Sequence, residues 1–131
     1  MYLSPLYAGL LGLMFIGLSV RTVRIRRKLG IAIGDHGNPE MLRAMRVHAN
    51  FAEYVPLALV LMLMLEIQGV SAYIVNLLGI ALVAGRVVHA LGVSRHREDY
   101  RFRVIGMAMT FTVIGTTSVF LVLQYWPFSF G

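Results

Sequence analysis

No cysteine occurs in the 131 residues of this chain. That excludes a disulfide framework, a cysteine nucleophile and a thiolate metal site, so any sulfur chemistry needs a thiol carried in by a ligand. Charge is scarce as well: Asp, Glu, Lys and Arg make up 14% of the residues, where an average soluble domain has about 25%. Acidic residues are the scarcer kind, six against twelve Lys and Arg, which leaves a net charge of +6. Repeats, low-complexity tracts, Gly-rich phosphate loops and Ser-centred nucleophile motifs are all missing. His48, His89 and His96 share no ligand spacing such as HxxxH, and their arginine neighbours repel a cation, so no metal site is expected.

What the chain has in quantity is hydrocarbon. Hydrophobic residues make up 58% of it, and its mean hydropathy is +0.74. Uncharged runs cover residues 2–20, 54–65, 67–85 and 104–128. A spanning helix needs about 20 apolar residues, and the second run reaches that length only by taking in the polar stretch before it. The expected fold is all-α: an integral membrane four-helix bundle in one domain, with helices over about 2–27, 39–67, 71–92 and 103–126. Seven of the twelve basic residues lie between positions 21 and 46 and four more between 95 and 103. Both groups flank the same side of a four-span topology, so the positive-inside rule predicts both basic loops cytoplasmic and both termini outside. The same distribution argues against nucleic acid and for contact with anionic membrane lipid. Basic residues follow the first apolar run rather than precede it, the pattern of a retained span rather than a cleaved signal peptide. Tyr125, Trp126 and Phe128 suit an outer interface belt, and Glu98 and Asp99 lie within the second basic loop.

The second helix carries the polar pattern. Asn38 before Pro39 reads as an N-cap followed by proline at the first helical position, and Pro56 is expected to kink the helix. Glu40, Arg43, Arg46, Asn50 and Glu53 recur at steps of three or four, so they share one broad helical face. In the third helix Arg86 and His89 stand one turn apart. At 1.5 Å per residue Glu53 and Arg86 each lie about 20 Å from the outer end of their helices. Two opposite charges at one depth in hydrocarbon are expected to pair.

Each of these residues could serve packing: an ion pair fixing register, an interhelical amide, a core histidine, snorkelling arginines. Together, Arg43, Arg46, Asn50, Glu53, Arg86 and His89 fall in the same half of the bundle and can converge on one pocket. Several guanidiniums favour carboxylates, a carboxylate favours an amino group, and an asparagine bonds peptide groups. These demands suit a short, zwitterionic, acid-rich peptide. Glutathione has that pattern and brings the thiol that the chain lacks.

The run Glu40-x-x-Arg43-x-x-Arg46-x-His48-x-Asn50-x-x-Glu53-Tyr54-x-Pro56, set in four short spans, resembles the MAPEG superfamily, the membrane-associated proteins in eicosanoid and glutathione metabolism. Arg86-x-x-His89 is similar to the matching turn in the prostaglandin E synthase branch, and the chain as a whole resembles the small bacterial inner-membrane members. The resemblance implies a homotrimer with glutathione in a cleft between subunits near the cytoplasmic face. By motif position it implies glutathione contacts from Arg46, Asn50 and Glu53, with His89 contributing, and from Arg26 or Arg27 in the first loop of a neighbour; Arg43, Tyr54 and Arg86 join them as candidate ligand-binding residues. It also implies a thiolate-stabilising arginine at the start of the fourth helix, where Arg101 and Arg103 both fall; Arg103, with Gly106 after it, is preferred. Tyrosines used by family enzymes in the third helix are missing: Val93 stands where one is expected, and Tyr100 is a candidate substitute.

The leading expectation is therefore a glutathione-dependent membrane enzyme, a transferase or peroxidase whose co-substrate thiolate attacks a lipophilic electrophile delivered from the bilayer. The alternative is a non-enzymatic membrane protein holding an anionic lipid or small peptide in the same inter-subunit cleft. A third reading makes the polar residues trimer glue.

Overall fold

Each apolar stretch folds as one helix. The computed structural model describes residues 2–95, 97 and 99–126, and within them all regular structure is helical. The helices are α1 (Ser4–Leu29), α2 (Pro39–Ile67), α3 (Ala72–Ser94) and α4 (Tyr100–Tyr125). All four are long and apolar enough to cross a membrane. His96, Glu98 and Phe128 lie outside the described residues.

The ends of the helices are set by local chemistry. Asn38 Oδ1 accepts from Glu40 N at 2.9 Å and Met41 N at 3.0 Å, and Pro39 occupies the first turn of α2. The helix then continues across Pro56 to Ile67, where Gly69 turns the chain at a φ of 80°. Gly30 closes α1 in the left-handed region, with Ile31 N donating to Arg26 O at 3.1 Å. α1 has no side-chain cap of its own. Its first N–H groups, Leu3 N and Ser4 N, donate instead to the Glu66 carboxylate at the far end of α2. α4 begins at Tyr100, three residues earlier than expected, because Asp99 Oδ1 accepts from Arg101 N at 3.0 Å and caps it. Arg101 and Arg103 consequently both sit inside the start of α4.

Packing follows from which side chains can leave the hydrocarbon. Tyr7, Leu11, Phe51, Val55, Ala58, Met62, Val75, Leu82 and Val113 form the main core, and Ile25, Ile31, Met41 and Ala44 a smaller one under the α1–α2 loop. Leu13, Ile16, Leu57, Val60, Ile80, Val119 and Leu123 point outward and stay exposed, the arrangement that suits lipid rather than water. α3 and α4 approach closely where both are glycine. A Cβ on Gly106 would lie 2.7 Å from His89 Cβ and 2.6 Å from Gly85 O, so this crossing tolerates no side chain.

The chain thus has two ends. One carries the start of α1, the α2–α3 turn and the end of α4; the other, the basic end, carries the two arginine-rich loops.

Candidate functional site

The 3.6-residue period of α2 puts Arg43, Arg46 and Asn50 on one side near its start, and the glycine-mediated α3–α4 crossing holds two more helices against it. Leu42, Arg43, Arg46 and Asn50 of α2, His89 and Val93 of α3 and Arg103 of α4 line one cleft of about 190 Å³ at the basic end. No carboxylate stands among its described lining residues. The cleft presents guanidinium, amide and imidazole groups, a surface suited to an acceptor-rich anion. A second, wider cleft of about 390 Å³, lined by Arg21, Asn38, Pro39, Glu40, Arg43 and Ser94, adjoins it through Arg43.

Arg86 lies behind the first cleft rather than in its wall. It is 1% exposed. Its Nη1 donates to Asn50 Oδ1 at 2.7 Å and its Nη2 to Met107 Sδ at 3.5 Å, while Nε has no partner. The expected pairing with Glu53 does not form. Glu53 follows Asn50 by three residues, about 60° around the helix, and that turn carries it to the exposed surface of the chain. Equal depth brought the two charges to one level but not to one side.

Other expected contributors also lie away from the cleft. Tyr54 packs edge-on against Phe111 with ring centroids 5.3 Å apart. Arg26 Nη1 donates to the carbonyls of its own loop, Gly34 O at 2.9 Å and Ala32 O at 3.4 Å. Arg27, Arg101 and Tyr100 are exposed and are not among the residues that line the cleft. His48 faces α1, with Nε2 3.0 Å from Ser19 Oγ and its ring stacked 4.8 Å from Phe15. Its two-residue offset from Arg46 and from Asn50 turns it to the opposite side of α2. Val93, placed where a tyrosine was expected, does line the cleft. Leu42 and Met107 went unread: an apolar residue within an apolar helix carries no signal of what it touches.

A MAPEG family model matches residues 4–123. The chain is 40% identical over 111 residues to a protein named Inner membrane protein YecN from Escherichia coli strain K12, covering 85% of this chain and 83% of that one. The protein of the same name from Escherichia coli O6:H1 strain CFT073 matches with 40% identity over 111 residues. No solved structure matches the chain. The inner-membrane relatives and the four membrane-length apolar helices support an integral inner membrane placement for this chain.

Proposed function

The chain belongs to the MAPEG family, and from that membership we propose that it is a glutathione-dependent enzyme of the inner membrane, a transferase or peroxidase acting on a lipophilic electrophile. One observation carries the reading: Arg43, Arg46, Asn50, His89 and Arg103, from three helices, line one cleft. Arg43 and Arg46 offer forked N–H pairs to the carboxylates of the tripeptide. Asn50 donates its amide to a peptide or carboxylate oxygen. Bound glutathione supplies the thiol, which a cysteine-free chain cannot make. Arg103, near the positive N-terminus of α4, favours the thiolate over the thiol, and one such cation raises the thiolate fraction at neutral pH about tenfold.

Two features favour completion of the site by a second copy, in the homotrimer that the family resemblance implies. A cleft of about 190 Å³ falls short of the roughly 300–1,000 Å³ of sites that enclose a small molecule. Glu53 is an exposed carboxylate on a helix long and apolar enough to span a membrane, a position that hydrocarbon penalises and a subunit interface relieves. At that interface Glu53 is placed to meet the amino group of the ligand. Arg27 is the better donor from a neighbour's loop, since Arg26 is spent on its own loop carbonyls. The orientation that fits is the basic end toward the cytosol, where glutathione is at hand.

Val93 and Tyr100 favour a second reading, in which the cleft binds an anionic lipid or small peptide without turning it over. No tyrosine stands among the described residues that line the cleft. A turnover assay of the detergent-solubilised protein with glutathione and a panel of electrophiles and lipid hydroperoxides separates the two. Thiol consumption that Arg103→Ala removes supports the enzyme. Glutathione binding without consumption supports the second reading, and neither binding nor consumption rejects glutathione altogether.

A further inference from the structure

Arg86 is the largest fully buried side chain among the described residues. Among the described residues it has no carboxylate partner; an amide oxygen and a thioether take two of its nitrogens, and Nε is left without one. A guanidinium in so apolar a place is costlier than a packed apolar residue, which would also fill the space. Simple filling therefore does not account for it.

The chemistry of its contact with Asn50 offers another account. A guanidinium only donates hydrogen bonds, so Arg86 forces the Asn50 amide into one orientation, with Oδ1 turned toward α3 and Nδ2 turned away. Nδ2 has no partner among the described residues and is not sealed from solvent. Asn50 lines the cleft, and Arg86 does not. We infer that Arg86 is a positioning residue: it never touches the ligand but holds the Asn50 amide with its NH2 group facing the cleft, so that Asn50 accepts only a ligand bearing an acceptor oxygen there. A freely turning asparagine would welcome donors and acceptors alike. With Arg86 behind it, Asn50 takes a carboxylate or peptide carbonyl oxygen, and the guanidinium charge strengthens its N–H groups as donors. The identity of the ligand rests on the glutathione reading; the orientation of the amide does not.

The chain has three asparagines, Asn38, Asn50 and Asn76, so protein labelled with [15N]asparagine gives three side-chain NH2 pairs by NMR in detergent. The pair lost in Asn50→Ala is that of Asn50. Arg86→Met is expected to displace this pair before any ligand is added while leaving those of Asn38 and Asn76 in place. Reduced glutathione is expected to shift the Asn50 pair in the wild type. Arg86→Met should weaken glutathione binding about fivefold to tenfold, the worth of one ordinary hydrogen bond, and should cause no further loss in an Asn50→Ala background. Arg86→Lys, which keeps the charge, should recover part of the affinity and serves if the Met variant does not fold. An Asn50 pair indifferent to both substitutions overturns the inference, as does an affinity loss that persists undiminished in Asn50→Ala. A wild type that ignores glutathione sinks the functional reading instead, and the ligand-free spectra still decide the role of Arg86.

Discussion

The two ends of the bundle pay the same cost, polar groups within apolar helices, and settle it differently. At the end that carries the start of α1, the polar groups are spent on one another. Glu66 closes the N-terminus of α1, Tyr7 Oη bonds Asn76 of α3, and Thr117 Oγ1 returns to Val113 O at 2.7 Å. What is left over there, Ser4 Oγ and Gln124 Oε1, is neutral. At the basic end, among the described residues, a buried guanidinium has one unpartnered nitrogen and an asparagine amide is half used. Internally satisfied groups hold a fold together, whereas polar groups that the protein leaves unsatisfied await something it does not contain.

Substitutions can test that division, and the largest effect is expected at the basic end. Arg103→Ala should lower glutathione-dependent turnover about a hundredfold, the usual loss when a group facing developing or resident negative charge is removed. Arg101→Ala, outside the cleft, should leave turnover within a few-fold; steady-state assays of both variants check the contrast. Gly106→Ala should cost about 2 kcal/mol by forcing α3 and α4 apart, as overpacking does, and should also displace His89 in the cleft wall. Unfolding in mixed detergent reads the first effect and glutathione titration the second.

At the opposite end the effects should be confined to stability. Glu66→Ala strips the start of α1 of its acceptor and should cost about 1.5 kcal/mol, the range of a lost N-cap with donors left unpaired. Tyr7→Phe should cost about 1 kcal/mol, one hydrogen bond. Both are measured by unfolding in mixed detergent, and in both glutathione affinity should stay within twofold of the wild type. A marked loss of affinity in either would erase the distinction between the ends.

The sequence made some of this plain and hid the rest for physical reasons. Runs of uncharged residues disclose membrane helices directly, and Asn38-Pro39 discloses a helix start, because the cap is built from adjacent residues. The earlier start of α4 was hidden in a charged segment where Asp99 looked like loop. The 3.6 period placed Arg43, Arg46 and Asn50 on one wall, since that is a property of one helix. The partner of Arg86 was misjudged because rise per residue gives height along a bundle but not direction around it. Height alone put Arg86 level with Glu53; the rotation of α2 gave it to Asn50. Arg26 and Arg27 look alike in sequence, and only the fold of the loop shows Arg26 spent on its own carbonyls.

The central claim is that the basic-end cleft binds glutathione. Calorimetric titration of reduced glutathione into the purified, detergent-solubilised protein, wild type beside Arg46→Ala, tests it most directly. The account predicts saturable binding by the wild type and about thirtyfold weaker binding by a variant that remains assembled, the worth of a charge-assisted hydrogen bond. No heat of binding from the wild type at millimolar glutathione, or equal affinity in Arg46→Ala, would contradict it.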